Sequence, residues 1–243
     1  NGKDIMKAKR DQESIHSFIE LHVEQGSRLD KSHIPVGVVS SIAGVNRYDV
    51  VVTGEANHAG STAMADRKDA LVAAAGFINQ VPDITKEYGN EFTVATVGTI
   101  KVTPHSVNVI PGTCTFSLEI RDQSAEMMKV IEIKLHERLE EICKKYKVTY
   151  TFTPTSYHDP APMSELVRGT IEEAVKELKI DYTVIPSGAF HDSLIMTSVF
   201  PTGMIFVPSK DGISHSRYES TAPEDIENGC NVIINTVLKL AAI

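Results

Sequence analysis

The chain has 243 residues and a formal net charge of −8 from 24 basic and 32 acidic side chains. That balance excludes a nucleic-acid partner held through a basic surface, because such affinity rests on Lys and Arg neutralising phosphates. At 42% hydrophobic and 23% charged, the composition suits a globular protein of one large or two modest domains. No apolar run approaches the ~18 residues that span a bilayer, so no membrane partner is expected.

Along the chain, residues 18–25 (FIELHVEQ) alternate apolar and polar side chains at the two-residue period of a strand. Residues 48–53 (YDVVVT) read as the next clear strand. Residues 67–81 (RKDALVAAAGFINQV) read as a helix, with Asp66 as its expected N-cap. Residues 92–102 (FTVATVGTIKV) form a strand. Residues 113–121 (TCTFSLEIR) form another, after the turn residues Pro111 and Gly112. A long helix is expected over residues 124–146, with Ser124 as its cap and Glu126 in the first turn. Residues 148–154 (VTYTFTP) close the series.

The order strand, helix, strand, strand, helix, strand is the ferredoxin-like βαββαβ pattern, and it occupies residues 42–154. The flanks alternate differently. After residue 162 come a helix (SELVRGTIEEAVKEL), a strand (YTVIPS), a helix (HDSLIMTSV), a strand (GMIFVPS) and a final helix (PEDIENGCNVIINTVLKL). Alternation of this kind predicts a parallel sheet. The expected fold is therefore an α/β domain, residues 1–41 and 155–243, interrupted by an inserted ferredoxin-like domain. The α/β part is short of strands and is expected to be partial. Asn1 rather than Met opens the chain, with no secretory pattern. The three cysteines, Cys114, Cys143 and Cys230, lack CxxC spacing and read as free thiols of a cytoplasmic protein.

Five segments carry candidate chemistry. In FIELHVEQG, strand alternation puts Glu20, His22 and Glu24 on one face, opposite the core stripe Ile19, Leu21 and Val23. His22 is either a solvated residue or a metal ligand whose ring the neighbouring carboxylates orient. In DGISHSRYES, a Gly-containing loop after a buried strand presents His215, with Glu219 four residues on. Ligands of α/β folds gather at such carboxyl ends of strands. In IPSGAFHDS, a strand ends at Ser187-Gly188 and a helix begins near His191, whose ring could donate to an oxyanion. In GEANHAGSTAM, His58 lies in a loop of small residues where Gly54 and Gly60 let the backbone turn. Asn108 precedes a turn in NVIPG, and Arg121 ends the strand SLEIR, where it could clamp a carboxylate. Each of these has a purely structural alternative.

Taken together and in this order, ELHVEQG, GEANHAGST-M, NVIPG, PSG--HDS and GISHS resemble the amidase group of the M20 peptidase family. That group includes N-carbamoyl-L-amino-acid hydrolases, allantoate amidohydrolases and β-ureidopropionases. The resemblance implies a catalytic α/β domain with an inserted lid that also forms a homodimer interface. It implies two divalent metal ions (zinc, manganese or cobalt), with His22 and His215 as ligands. It implies a small substrate bearing a carboxylate, bound by Asn108, Arg121, His58, Gln25 and Gly188, with His191 acting at the tetrahedral intermediate. His58 would serve across the dimer.

The sequence departs from the group at Ala63, where Pro is usual, and at Phe190, where Gly is usual. The His-x-Asp and Glu-Glu motifs of the group are also absent from these residues. The chain is therefore expected to correspond to the later part of such an enzyme, inactive by itself and holding metal poorly. The alternatives are an M20 aminopeptidase or dipeptidase, and a catalytically inactive dimerising fragment.

Overall fold

A computed structural model describes residues 2–8 and 10–242. The strands and helices in chain order are β1 (Phe18–Val23), α1 (Arg28–Ser32), β2 (Val36–Ile42), β3 (Gly44–Thr53), β4 (Asn57–His58), α2 (Ala70–Ile78), α3 (Val81–Tyr88), β5 (Val94–Thr96), β6 (Ile100–Thr103), β7 (Val109–Ile110), β8 (Thr113–Asp122), α4 (Ala125–Tyr146), β9 (Thr149–His158), β10 (Ala161–Pro162), α5 (Glu165–Leu178), β11 (Tyr182–Ser187), α6 (Asp192–Met196), β12 (Thr202–Val207) and α7 (Pro223–Leu240). The result is a mixed α/β fold. The chain divides into two compact units, one made of the residues up to Ile42 and from Ala161 onward, the other of Ala43–Pro160.

The first unit is built on a sheet in which β1 pairs with β12, β12 with β2, and β2 with β11, with β10 meeting Ser41 and Ile42. Its sheet is not wholly parallel as the alternation predicts. β1–β12 and β11–β2 are parallel, whereas β12 and β2 run antiparallel through Val38 and Gly37. Strand direction depends on how distant segments meet, which local alternation does not encode. Apolar side chains fill both faces. On β12, Ile205 joins Val36, Val38, Val167, Ile171, Val175, Val232 and Leu240 beneath α5 and α7, and Ile19 and Leu21 of β1 pack there too. Met204 and Phe206 turn the other way, toward Leu29, Ile185 and Leu194. Glu20 and His22 therefore share the Phe206 side, and α6 packs against β1 and β12. Gly229 permits the close seating of α7, because a Cβ there would lie 2.7 Å from Val207 Cγ1.

The second unit has the strand order β9-β3-β8-β5, with β6 also on β8, and every pairing is antiparallel. In order of appearance this is the 4-1-3-2 arrangement of the split βαβ pattern. Its core sets Val50, Val52, Phe116, Leu118 and Ile120 of the sheet against Ala73, Phe77, Ile131, Leu135 and Leu139 of the helices. Alternation on β8 sends Cys114, Phe116, Leu118 and Ile120 into this core and Thr115, Ser117, Glu119 and Arg121 to the opposite side.

Local chemistry moves several boundaries. The helix expected from residue 67, α2, is capped by Asp69, not Asp66: the Asp69 carboxylate accepts from Leu71 N and Val72 N, and Asp66 closes a preceding short 3₁₀ turn. The helix stops at Ile78, and α3 follows as a separate piece with Pro at its start, where the missing N–H costs nothing. The 92–102 segment splits into β5 and β6. β9 runs on to His158 because it keeps pairing with β3 as far as Val45. Ser124 caps α4 as expected, accepting from Met127 N at 3.2 Å.

Candidate active site

The expected site residues fall in both units. In the first, β1 presents His22 beside its register partner Phe206. His191, the residue before α6, lies over both rings, with centroids 4.5 Å from His22 and 5.6 Å from Phe206. Donor atoms of Glu20, His22 and His191 lie within 4.8 Å of one another. Two imidazoles and one carboxylate form a donor set that divalent zinc accepts.

The bond that orients His22 supports this reading. Its Nδ1 lies 2.7 Å from the carbonyl of Val23. A carbonyl only accepts, so Nδ1 carries the hydrogen and Nε2 keeps its lone pair. The sequence suggests carboxylate neighbours for this duty, but a backbone oxygen performs it. Glu20 and Glu24 are engaged otherwise. Glu20 Oε2 accepts from Ser193 N at 3.0 Å and Ser193 Oγ at 2.5 Å, so it caps the first turn of α6. Glu24 accepts from Arg28 N at 3.0 Å and Leu29 N at 2.8 Å, doing the same for α1.

His191 is 4% exposed. Burial first, and then the neighbouring His22, press its pKa from 6.5 down to about 4, against the opposing pull of Glu20 and Asp192. The ring is therefore neutral at pH 7. Its Nε2 lies 2.8 Å from Ser187 Oγ, itself buried at the end of β11. Gly188 is exposed, and a Cβ there would meet nothing within 4 Å.

His215 does not join the three-residue set. Its Nε2 accepts from Gln25 Nε2 at 3.0 Å, and the same amide donates to Ser214 Oγ at 3.3 Å. Gln25 and His215 both occupy the left-handed region, at φ 58° and 54°. Such strain in residues with side chains gathers at functional sites. Glu219 braces the second turn, accepting from His215 N at 2.9 Å and Ser214 Oγ at 2.6 Å. Ser209 Oγ holds the first by accepting from Gln25 N at 3.1 Å.

In the second unit, β4 and β7 form a two-stranded ribbon pairing His58 with Val109, and Ala59 N donates to Asn108 O at 3.0 Å. His58 and Asn108 are thus brought together, both exposed. His58 Nδ1 accepts from Gly60 N and Ser61 N at 3.0 and 3.1 Å, which puts its hydrogen on Nε2. Gly54 is required at the root of the ribbon, since a Cβ there would fall 1.9 Å from Lys68 O.

Arg121 is not with them. The ribbon prolongs the β3–β8 ladder past Thr53 and Thr113, Gly54 N bonding Gly112 O at 2.8 Å. Arg121 lies eight positions further along β8, roughly 27 Å from Thr113 at about 3.4 Å per residue. It is at the end of the sheet where the chain enters at Gly44, and its Nε donates to Glu119 Oε1 at 2.7 Å. One copy of the unit cannot deliver Asn108 and Arg121 to the same carboxylate.

Ser193, Ser187 and the Val23 carbonyl are contributors that residue patterns do not flag. The serine of HDS was the available signal, placed where a first-turn N–H and hydroxyl seek an acceptor.

The sequence model of peptidase family M20/M25/M40 matches residues 2–239. The chain belongs to this family. It is 37% identical over 237 residues to an N-carbamoyl-L-amino acid amidohydrolase of Geobacillus stearothermophilus, covering 98% of this chain and 58% of that protein. It is 34% identical over 229 residues to the allantoate amidohydrolase of Escherichia coli (strain K12), covering 94% and 56%. Among solved structures it is similar to an amidase of the hydantoinase/carbamoylase family from Burkholderia multivorans, with a TM-score of 0.86, 33% identity and coverage of 94% and 56%. The M20 chain described here spans little more than half the length of each of these relatives.

Proposed function

We propose that this chain serves a metal-dependent amidohydrolase that cleaves a C–N bond of an N-carbamoyl amino acid or of a ureido acid such as allantoate. The observation that carries the reading is the His22–His191 pair. One imidazole has its tautomer set by a carbonyl so that Nε2 is a ligand atom, and the other is neutral and buried against it. The names of the similar proteins support the same chemistry.

His22 would hold one divalent ion, with Glu20 within reach, and His215 on its braced turn would hold the other. Zinc, manganese and cobalt all suit imidazole and carboxylate donors. Such an ion, when bound, polarises a carbonyl and lowers the pKa of bound water. His191 contributes a hydrogen bond. Ser187 Oγ lies 2.8 Å from His191 Nε2 and 3.1 Å from Ala189 O, and its single proton serves one of them. Given to Nε2, it leaves the imidazole hydrogen on Nδ1, a donor for an oxyanion. Gln25 and Gly188 belong to the substrate side of this arrangement.

In the second unit, Arg121 would take the substrate carboxylate, and His58 Nε2–H with Asn108 would contact the scissile group. The separation of Arg121 from the ribbon favours a homodimer in which His58 and Asn108 act on the neighbouring copy's substrate. On this reading the second unit is the lid and dimerisation domain, and the first is the metal-binding domain.

The test is a substrate panel on the complete gene product, with manganese, zinc or cobalt added. N-carbamoyl-L-amino acids and allantoate should be turned over, and His22→Ala should lose about 100-fold or more in kcat/KM. Hydrolysis of dipeptides alone would replace this reading with an aminopeptidase or dipeptidase.

A further inference from the structure

On the side of the second unit's sheet away from its helices, Glu119 stands between two guanidinium groups. It shares a face of β8 with Arg121, two residues on, and is the direct cross-strand partner of Arg47 on β3. Oε1 accepts from Arg121 Nε at 2.7 Å, and Oε2 accepts from Arg47 Nε at 2.6 Å. Each carboxylate oxygen thus serves one arginine. Burial works to raise the Glu119 pKa, but the hydrogen bonds from Arg121 and Arg47, and their charges, hold it below the ordinary range. Val45 on β3 and Val94 on β5 stand directly opposite Arg121 on its two neighbouring strands. They offer the apolar surface along which an Arg stem lies.

We propose that Glu119 is the positioning residue of Arg121, and that Arg47 is the second brace, which keeps the trio net positive. The inference rests on the reading of Arg121 as the group that takes a substrate carboxylate. An Arg–Glu pair alone would be neutral and would no longer attract an anion at a distance. With Arg47 added, two positive charges face one negative charge. Orientation then comes from Glu119 without cancelling the charge that recognises the ligand. Fixing one edge of the guanidinium through Nε also removes rotamer freedom that binding would otherwise have to quench.

The experiment compares N-carbamoyl-L-alanine with its carboxamide in the complete protein, alongside the Arg121 Nε–H resonance by NMR. Glu119→Gln and Arg47→Met should each raise KM for the acid about tenfold, leave kcat within about twofold, and barely affect the carboxamide. Arg47→Lys should restore most of the loss. Glu119→Gln should also shift the Arg121 Nε–H signal and speed its exchange. An Nε–H signal indifferent to Glu119→Gln would overturn the brace whatever the kinetics. So would variants that impair acid and carboxamide equally, since that marks a structural role alone. Loss of the protected Nε–H in Glu119→Gln, in a protein that turns over neither probe, would uphold the brace and sink the substrate reading instead.

Discussion

The rings of His22 and His191 meet at 68° with centroids 4.5 Å apart, one from the first strand of the chain and the other from the turn before α6. His191 thus packs against both His22 and Phe206. Two imidazoles this close cannot both be charged cheaply, and burial makes the protonated form of His191 more costly still.

Stability should fall in acid through His191. Its pKa is about 4 in the folded chain against an ordinary 6.5. Between those values the unfolded chain binds a proton that the folded chain refuses. The contribution is therefore full above about pH 6.5 and declines by at most about 1.4 kcal/mol per pH unit as pH falls to about 4. Urea denaturation at pH 7, 5.5 and 4.5 should show a shallower slope in His191→Asn than in the wild type. Parallel slopes would mean that His191 titrates normally.

Removing the Glu20 carboxylate should loosen α6. Glu20→Ala leaves Ser193 N and the buried Ser193 hydroxyl without their acceptor, a loss of about 1–3 kcal/mol. Glu20→Gln retains a carbonyl acceptor and should lose less than half as much. Equal losses in the two variants would show that charge, and not capping, is what Glu20 supplies.

The 243 residues alone should hold metal weakly. His22, His191 and Glu20 converge, but Ser193 already engages Glu20, and His215 accepts from Gln25. Tight zinc sites draw on three or four protein ligands for each ion, more than these residues supply to a two-ion centre. Equilibrium dialysis followed by elemental analysis should find fewer than about two ions per chain, with turnover near background. Two tightly retained ions would contradict this.

Two neighbouring aspartates should differ sharply in their effect on folding. Asp69→Ala removes the acceptor for Leu71 N and Val72 N, and should cost about 0.5–2 kcal/mol. Asp66→Ala, by contrast, removes no cap of α2 and should shift the denaturation midpoint little. Reversed effects would place the helix start one turn earlier.

Much of this fold is legible in the residue pattern. The two-residue period of β1 sorted its faces correctly. Ile19 and Leu21 went to a core, and Glu20 and His22 to the other side. The Ser124 cap of α4 and the strand-to-helix turn at Ser187 to His191 were also local enough to read. The residue pattern places the helix start at Asp66 because two aspartates precede the apolar run. Only the backbone decides which of them meets free N–H groups.

Residue identity and local period by themselves determined which side chains could act, which faces they occupy and which family the chain resembles. Tertiary structure alone decided their partners. It turned Glu20 to Ser193 in the first turn of α6. It also paired His215 with Gln25 and carried Arg121 to the far end of β8 from Asn108. The physical reason is range. Strand alternation and helix capping act over two to four residues, whereas the partners of Glu20 and His215 depend on which distant strand or turn comes to lie alongside.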